Sequence, residues 1–268
     1  MICDTHTHSI YSFDGNDSIE ALCRAAVSNG VDILTITDHS EALSGVPLNN
    51  EERERCSNSV KFAAEAARTF APNLTVLRGC ELGQPHMNPE YSNAILSSFD
   101  FDYVIGSMHF FPGNIDLYDV TYTRENYREY MNMYFEETLK MLDFDGYQTL
   151  GHLDYITRLL HHCFDGTPNY LEYRSDVEKI LKRGAEKGLA LEVNTSSLRK
   201  KGALSMEQWI LETFAGYGGK LITIGSDAHF APDVGNGFYE AFELMGKCGF
   251  SNYTYFVNKE PVSVPIPR

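Results

Sequence analysis

Seven short apolar, β-branched runs alternate with helical stretches along the whole chain, and this alternation constrains the fold more than any other feature. The runs are "ICDTHTH" at 2–8, "VDILTIT" at 31–37, "LTVLRGCE" at 74–81, "DYVIGSMH" at 102–109, "YQTLGHLD" at 147–154, "LALEVN" at 189–194 and "LITIGSDAH" at 221–229. The stretch "DSIEALCRAAVSNG" predicts a helix with Ser18 at its N-cap and Gly30 just past its end, its apolar stripe formed by Ile19, Leu22, Ala26 and Val27. Further helices are expected near 51–70, 90–98, 124–142, 172–187, 205–217 and 236–248. Parallel strands require crossovers, and right-handed crossovers build barrels or doubly wound sheets. With no linker between units, a single α/β domain spanning 1–268 is expected, a barrel ahead of an open sheet. The glycine patterns of dinucleotide folds and P-loops are absent. The tail "NYTYFVNKEPVSVPIPR" predicts a short strand and a Pro-punctuated extended end.

Composition sets the outer limits. At 268 residues the chain is long enough for a large core, and 43% hydrophobic against 22% charged residues argues against disorder. A formal charge of -15 repels phosphate backbones, so nucleic acid is not an expected partner, whereas small anions are allowed. Six widely spaced cysteines, without a Cys-x-x-Cys, predict reduced thiols in a cytoplasmic protein, with Cys23 and Cys80 packing as small hydrophobes. No leader pattern opens the sequence and no run approaches the ~18 apolar residues of a membrane span, so no membrane partner is expected.

The chemistry is concentrated at the strand ends. The runs finish in His6-Thr7-His8, Thr37-Asp38-His39, Cys80-Glu81, Ser107-Met108-His109, His152-Leu153-Asp154 and Ser226-Asp227-Ala228-His229, so six of the seven strands end in His, Asp or Glu. In parallel α/β folds these C-terminal ends converge on one mouth. A single histidine at a strand end is more often a solvated polar residue than a ligand, but six independent accidents are a poor explanation. Imidazole and carboxylate suit Zn, Fe, Mn or Co, and the His-x-His spacing projects both rings from one face of a strand. A metal cluster at the mouth is therefore expected.

Taken together and in this order, "HTHSIYSFDG", "TDH", "GCE", "GSMH", "GHLDYITR", "EVNTS" and "GSDAH" resemble the PHP (polymerase and histidinol phosphatase) family, and within it the branch acting on histidinol phosphate; the likeness covers nearly the whole chain. The resemblance implies a distorted (β/α)7 barrel and a centre of three divalent transition metals. It implies a first metal held by His6, His8, Glu81 and Asp227, a second by Glu81, His109 and His152, and a third by Asp14, His39 and His229. Asp14 stands where some relatives carry a histidine, which makes the third site harder in character. The implied activity is hydrolysis of a small phosphate monoester, L-histidinol phosphate, in histidine biosynthesis, through a hydroxide bridging two metals.

Arg158 and Arg199, with Lys200 close by, are the expected phosphate contacts in an otherwise acidic protein, and Arg158 and Arg199 are also assigned a catalytic role. Asp38 or Asp154 would protonate the poor alkoxide leaving group, or else orient a ligand histidine. Gln84 and His86 are expected near the amine and imidazole of the substrate, while His161 and His162 are either exposed loop residues or further contacts. Two rivals stand beside this reading: a relative acting on nucleic-acid ends or other phosphate esters, and a non-catalytic module that keeps the fold. The filled ligand positions argue against the second.

Overall fold

The computed structural model describes residues 1–160 and 170–267. Seven parallel strands, β1 (Cys3–Thr7), β2 (Ile33–Ile36), β3 (Thr75–Gly83), β4 (Tyr103–Ser107), β5 (Thr149–Leu150), β6 (Ala190–Asn194) and β7 (Ile222–Gly225), pair in sequence order. Registers such as Ile33↔Thr75, Gly79↔Tyr103, Thr149↔Ala190 and Leu191↔Ile222 run round the sheet. Its two edges meet just beyond the last residues of β1 and β7, where His8 N donates to Ala228 O at 2.9 Å and Asp227 N to His6 O at 2.8 Å. The result is a nearly closed, single-domain (β/α)7 barrel, as the alternating pattern predicts.

A longer helix follows each strand: α1 (Ile19–Ser28), α2 (Asn50–Phe70), α3 (Pro89–Ser98), α4 (Tyr127–Met141), α5 (Arg174–Glu186), α6 (Gln208–Gly216) and α7 (Phe238–Lys247). Ser18 caps α1 by accepting from Ala21 N. The buried stripe of α1 is Ile19, Leu22, Cys23 and Ala26; Val27, expected in the stripe, faces outward, because it falls one step past the arc that touches the sheet. Cys23 and Cys80 are buried, and the five described cysteines are free thiols. No helix among the described residues is long and apolar enough to cross a membrane.

Several strands are shorter than their apolar runs suggest, β7 among them, which stops at Gly225. β4 stops at Ser107 and β5 at Leu150. Beyond them, His109 N donates to the Gln84 side chain and His152 N to the Glu192 carboxylate, so side chains take over the ladder bonds where the chain turns toward the mouth. The tail is a complete hairpin, β8 (Asn252–Val257) and β9 (Glu260–Pro265), turning on Asn258 and Lys259, both with positive φ. Phe256 of β8 stacks on Tyr103 at 5.2 Å between ring centroids, at the barrel end opposite the mouth.

Candidate metal centre

Every one of the nine expected ligands arrives at the mouth. The ligand atoms of His6, His8 and Glu81 lie within 4.8 Å of one another, as do those of Glu81, His109 and His152, and those of His8, Asp14, His39 and His229. Strand alternation explains the first group: residues i and i+2 of β1 share a face, which puts His6 Nε2 and His8 Nε2 3.0 Å apart. Asp227 joins them, its Oδ1 3.4 Å from His8 Nε2 and 3.8 Å from His6 Nε2.

Glu81 occupies the middle with its oxygens divided. Oε1 lies 2.7 Å from His152 Nε2 and 3.3 Å from His109 Nε2; Oε2 lies 3.1 Å from His6 Nε2, 3.3 Å from His8 Nε2 and 3.2 Å from His39 Nδ1. Although burial favours its neutral form, the surrounding His6, His109, His39 and His152 hold its carboxyl well below the usual range. Asp227 is likewise held low against burial, chiefly by His6, His8 and His229. His8 goes the other way: burial and the neighbouring His39 and His229 depress its imidazole, favouring the neutral ring that a metal requires.

The donor set fits metal ions. Two nitrogens about 2.1 Å from one ion lie roughly 3.0 Å apart at a right angle and roughly 3.4 Å apart at a tetrahedral angle. The His6–His8 pair at 3.0 Å and the His109–His152 pair at 3.4 Å match those spacings. Glu81 Oε2, His39 Nδ1 and His152 Nδ1 are also buried without a hydrogen-bond partner; the first two face each other at 3.2 Å, with Glu41 Oε1 also 3.2 Å from His39 Nδ1. The outer group is looser: Asp14 Oδ2 lies 2.9 Å from His229 Nε2, while Asp14 Oδ1 lies 3.6 Å from His39 Nε2.

Two carboxylates that the strand-end pattern does not single out support this array. Glu192, in the middle of β6, accepts from His6 Nδ1 at 2.6 Å and from His152 N at 2.7 Å. It fixes which nitrogen of His6 faces Glu81. Gly225 makes room, since a Cβ there would overlap the His6 side chain and press on Glu192 Oε1. Glu41, in the short strand His39–Glu41 that pairs with β3, lies 2.9 Å from His109 Nδ1 and 3.2 Å from His39 Nδ1. Burial opposes its ionisation, but His109 and His39 bring its carboxyl down to about 2, and in return Glu41 and Glu81 carry His109, against burial, up to about 10. A Glu inside an otherwise apolar strand, "LALEVN", was the available signal for Glu192.

The other expected residues take several different positions. Asp38 does not face the cluster: it accepts from Ser9 N, Ser9 Oγ, Ser12 Oγ and Ser59 Oγ at 2.6–3.0 Å. Ser12 Oγ in turn lies 3.0 Å from His8 Nδ1, so Asp38 reaches a ligand through one hydroxyl. Asp154 receives Arg158 Nε and Nη2 at 2.9 and 3.1 Å, and Arg158 Nη1 donates to Ser196 Oγ at 2.6 Å and lies 3.7 Å from Asp227 Oδ2. Arg199 donates to the carbonyls of Ser226 and Asp227 at 2.7 and 2.9 Å, beside a residue whose φ is 53°.

Gln84 is fully buried, accepting from His109 N and Phe110 N and donating to Glu41 Oε2, so it supports the site from behind and does not line it. His86 pairs with Glu137 of α4 at 3.0 Å. Lys200 lies in the short helix Ser196–Lys201, its side chain outside the described residues, as are His161 and His162.

A barrel whose strand ends carry this cluster has the make-up of a metal-dependent hydrolase. The PHP domain family model matches residues 4–196, and the chain belongs to that family. A probable histidinol-phosphatase of Clostridium acetobutylicum is 30% identical over 250 residues, covering 92% of this chain and 94% of that one. The histidinol-phosphatase of Lactococcus lactis subsp. lactis is 28% identical, with 94% and 93% covered. The crystal structure of the Lactococcus lactis histidinol phosphate phosphatase, complexed with zinc, L-histidinol and phosphate, matches with a TM-score of 0.83 at 26% identity, covering 97% of this chain and 98% of that one.

Proposed function

We propose that this chain is a metal-dependent phosphomonoesterase that hydrolyses L-histidinol phosphate to L-histidinol and phosphate in histidine biosynthesis, with three divalent transition metals at the barrel mouth. The observation that carries the reading is the division of Glu81, whose two oxygens face two separate histidine groups, inside a chain alike over 92% of its length to a probable histidinol-phosphatase. His6, His8, Glu81 and Asp227 would hold one ion, Glu81, His109 and His152 a second, and Asp14, His39 and His229 a third. Bound there, such ions supply positive charge for the phosphoryl oxygens and activate water as the nucleophile.

The protein's own side chains do the rest. Arg158 has three of its five N–H groups committed to Asp154 and Ser196, which leaves one on each terminal nitrogen for phosphate while the guanidinium stays fixed. Arg199 is anchored in the same manner, on Asp233 and the Ser226 and Asp227 carbonyls, and so positions Asp227 as well as offering its remaining N–H groups to the substrate. Asp38 and Asp154 serve as acceptors that hold Ser12 and Arg158 in place. One water is consumed: its oxygen joins phosphorus, the P–O bond to the alcohol breaks, and the water's two protons end on the leaving alcohol oxygen and on the phosphate.

The purified protein should release phosphate from L-histidinol phosphate much faster than from p-nitrophenyl phosphate, 3′,5′-bisphosphates or short oligonucleotides, and lose that activity to a chelator. Arg158→Met should raise KM for L-histidinol phosphate and lower kcat/KM by about 100-fold, the scale of lost hydrogen bonds to a charged group. Equal slow rates on every ester would sink the assignment of substrate.

A further inference from the structure

We infer that Glu41 is a positioning residue shared by two of the proposed metal sites, one carboxylate oxygen hydrogen-bonding His109 of one and standing at ion-pair distance from His39 of another. The inference rests on the metal-centre reading above. His39 and Glu41 are two residues apart on a strand paired with β3 in the register His39↔Glu81 and Glu41↔Gly83, so both project toward the mouth, with Glu41 one step further out. Its Oε1 lies 2.9 Å from His109 Nδ1 and 3.2 Å from His39 Nδ1. With Nδ1 taken by Glu41, His109 is left to present Nε2, the nitrogen 3.3 Å from Glu81 Oε1. His39 Nδ1 lies 3.2 Å from both Glu41 Oε1 and Glu81 Oε2 without a hydrogen bond to either, so here Glu41 acts through its charge beside the ring, whose Nε2 is on the side of Asp14.

The carboxylate is itself anchored. Oε2 accepts from Gln84 Nε2 at 2.7 Å, and Gln84 is tied through its side-chain oxygen to the backbone of His109 and Phe110 and through its own N to Ser107 O. Gly83 leaves the space that Glu41 fills: a Cβ at 83 would overlap the Glu41 carboxylate. Both oxygens are thereby committed to protein donors, which suits an orienting group better than a ligand. The group formed by His6, His8 and Asp227 is held instead by Glu192 and Ser12 and makes no such contact with Glu41.

Cobalt(II) titration of the EDTA-treated full chain, followed by visible absorption and calorimetry, tests this. Glu41→Gln should bind the same number of cobalt ions at saturation as the unaltered chain, with two binding steps weakened about 10–100-fold and one unchanged. Gly83→Ala, which displaces Glu41 without touching any ligand, should reproduce the pattern, and Glu41→Asp should fall between. Circular dichroism of the metal-free proteins identifies a variant that fails to fold, in which case the other two decide.

Unchanged affinities in all three variants overturn the role of Glu41. A loss of one ion at saturation in Glu41→Gln also overturns it, because Glu41 is then a ligand, and so does equal weakening of every step. An unaltered chain that binds no cobalt overturns the metal-centre reading itself, a result distinct from unchanged binding in the variants alone.

Discussion

The inner and outer parts of the mouth are built on different principles. His6, His8 and Glu81 are fully buried on β1 and β3, and the remaining nitrogen of His6 and of His8 is taken by Glu192 and by Ser12. Asp14 and His229 lie on loops beyond β1 and β7, with side chains 38% and 24% exposed, and they chiefly hold each other. The inner ligands are thus fixed by strands before any ion arrives, whereas the outer pair depends on loop geometry and on the ion to complete it. Preorganised ligands bind tightly because little ordering remains to be done. On the proposed reading, the inner ions would be permanently bound and the outer one exchangeable.

The strongest challenge to that contrast is Glu81→Gln. Its loss should remove metal from both groups that share it and lower kcat/KM on the order of a thousandfold, the scale for losing a group that stabilises transition-state charge. Metal analysis showing both inner ions retained would mean that Glu81 does not bridge. A smaller effect is expected from Glu192→Gln, which leaves every ligand in place but frees His6: inner-site affinity should fall about 10–100-fold in a competition with a chromogenic chelator. If the outer site weakens instead, the division drawn between the two is wrong. Smallest should be Asp14→Ala, with activity reduced about tenfold, the lower end of the range for disturbed metal sites, and the outer ion lost on dialysis while the inner ions stay. Loss of all metal in that variant would show that the outer loops, and not the strands, organise the centre.

Much of this was legible beforehand. Strand alternation and the polar residues at the strand ends located eight of the nine proposed ligands, because a parallel barrel brings its C-terminal strand ends to one place; Asp14, on the loop after β1, came only from the family resemblance. The supporting residues were harder to read. Asp38 stands beside His39 in sequence, yet adjacent residues on an extended chain point opposite ways, and Asp38 accordingly turns toward Ser9, Ser12 and Ser59. Glu192 belongs to the one strand whose end carries no His, Asp or Glu, so a search confined to strand ends passes it by, although a carboxylate within an apolar run needs a partner. Glu41 follows "TDH" in what reads as a loop, and only the pairing of His39–Glu41 with β3 puts it on the same face as His39. Gln84 and His86 follow Glu81 closely, but the left-handed turn at Gln84 carries the chain behind the cluster.

The hairpin at the far end of the barrel has a bearing on the centre. Tyr253 of β8 accepts from Cys3 N at 3.0 Å and donates to Met1 O at 3.0 Å, so the last hairpin grips the first residues of β1. β1 is five residues long, and His6 sits three positions beyond that grip. The C-terminal segment thus acts as the foundation of the metal centre's first wall: a fusion, clipping or extension that disturbed β8 would reach the histidines through the strand itself, without coming near the mouth.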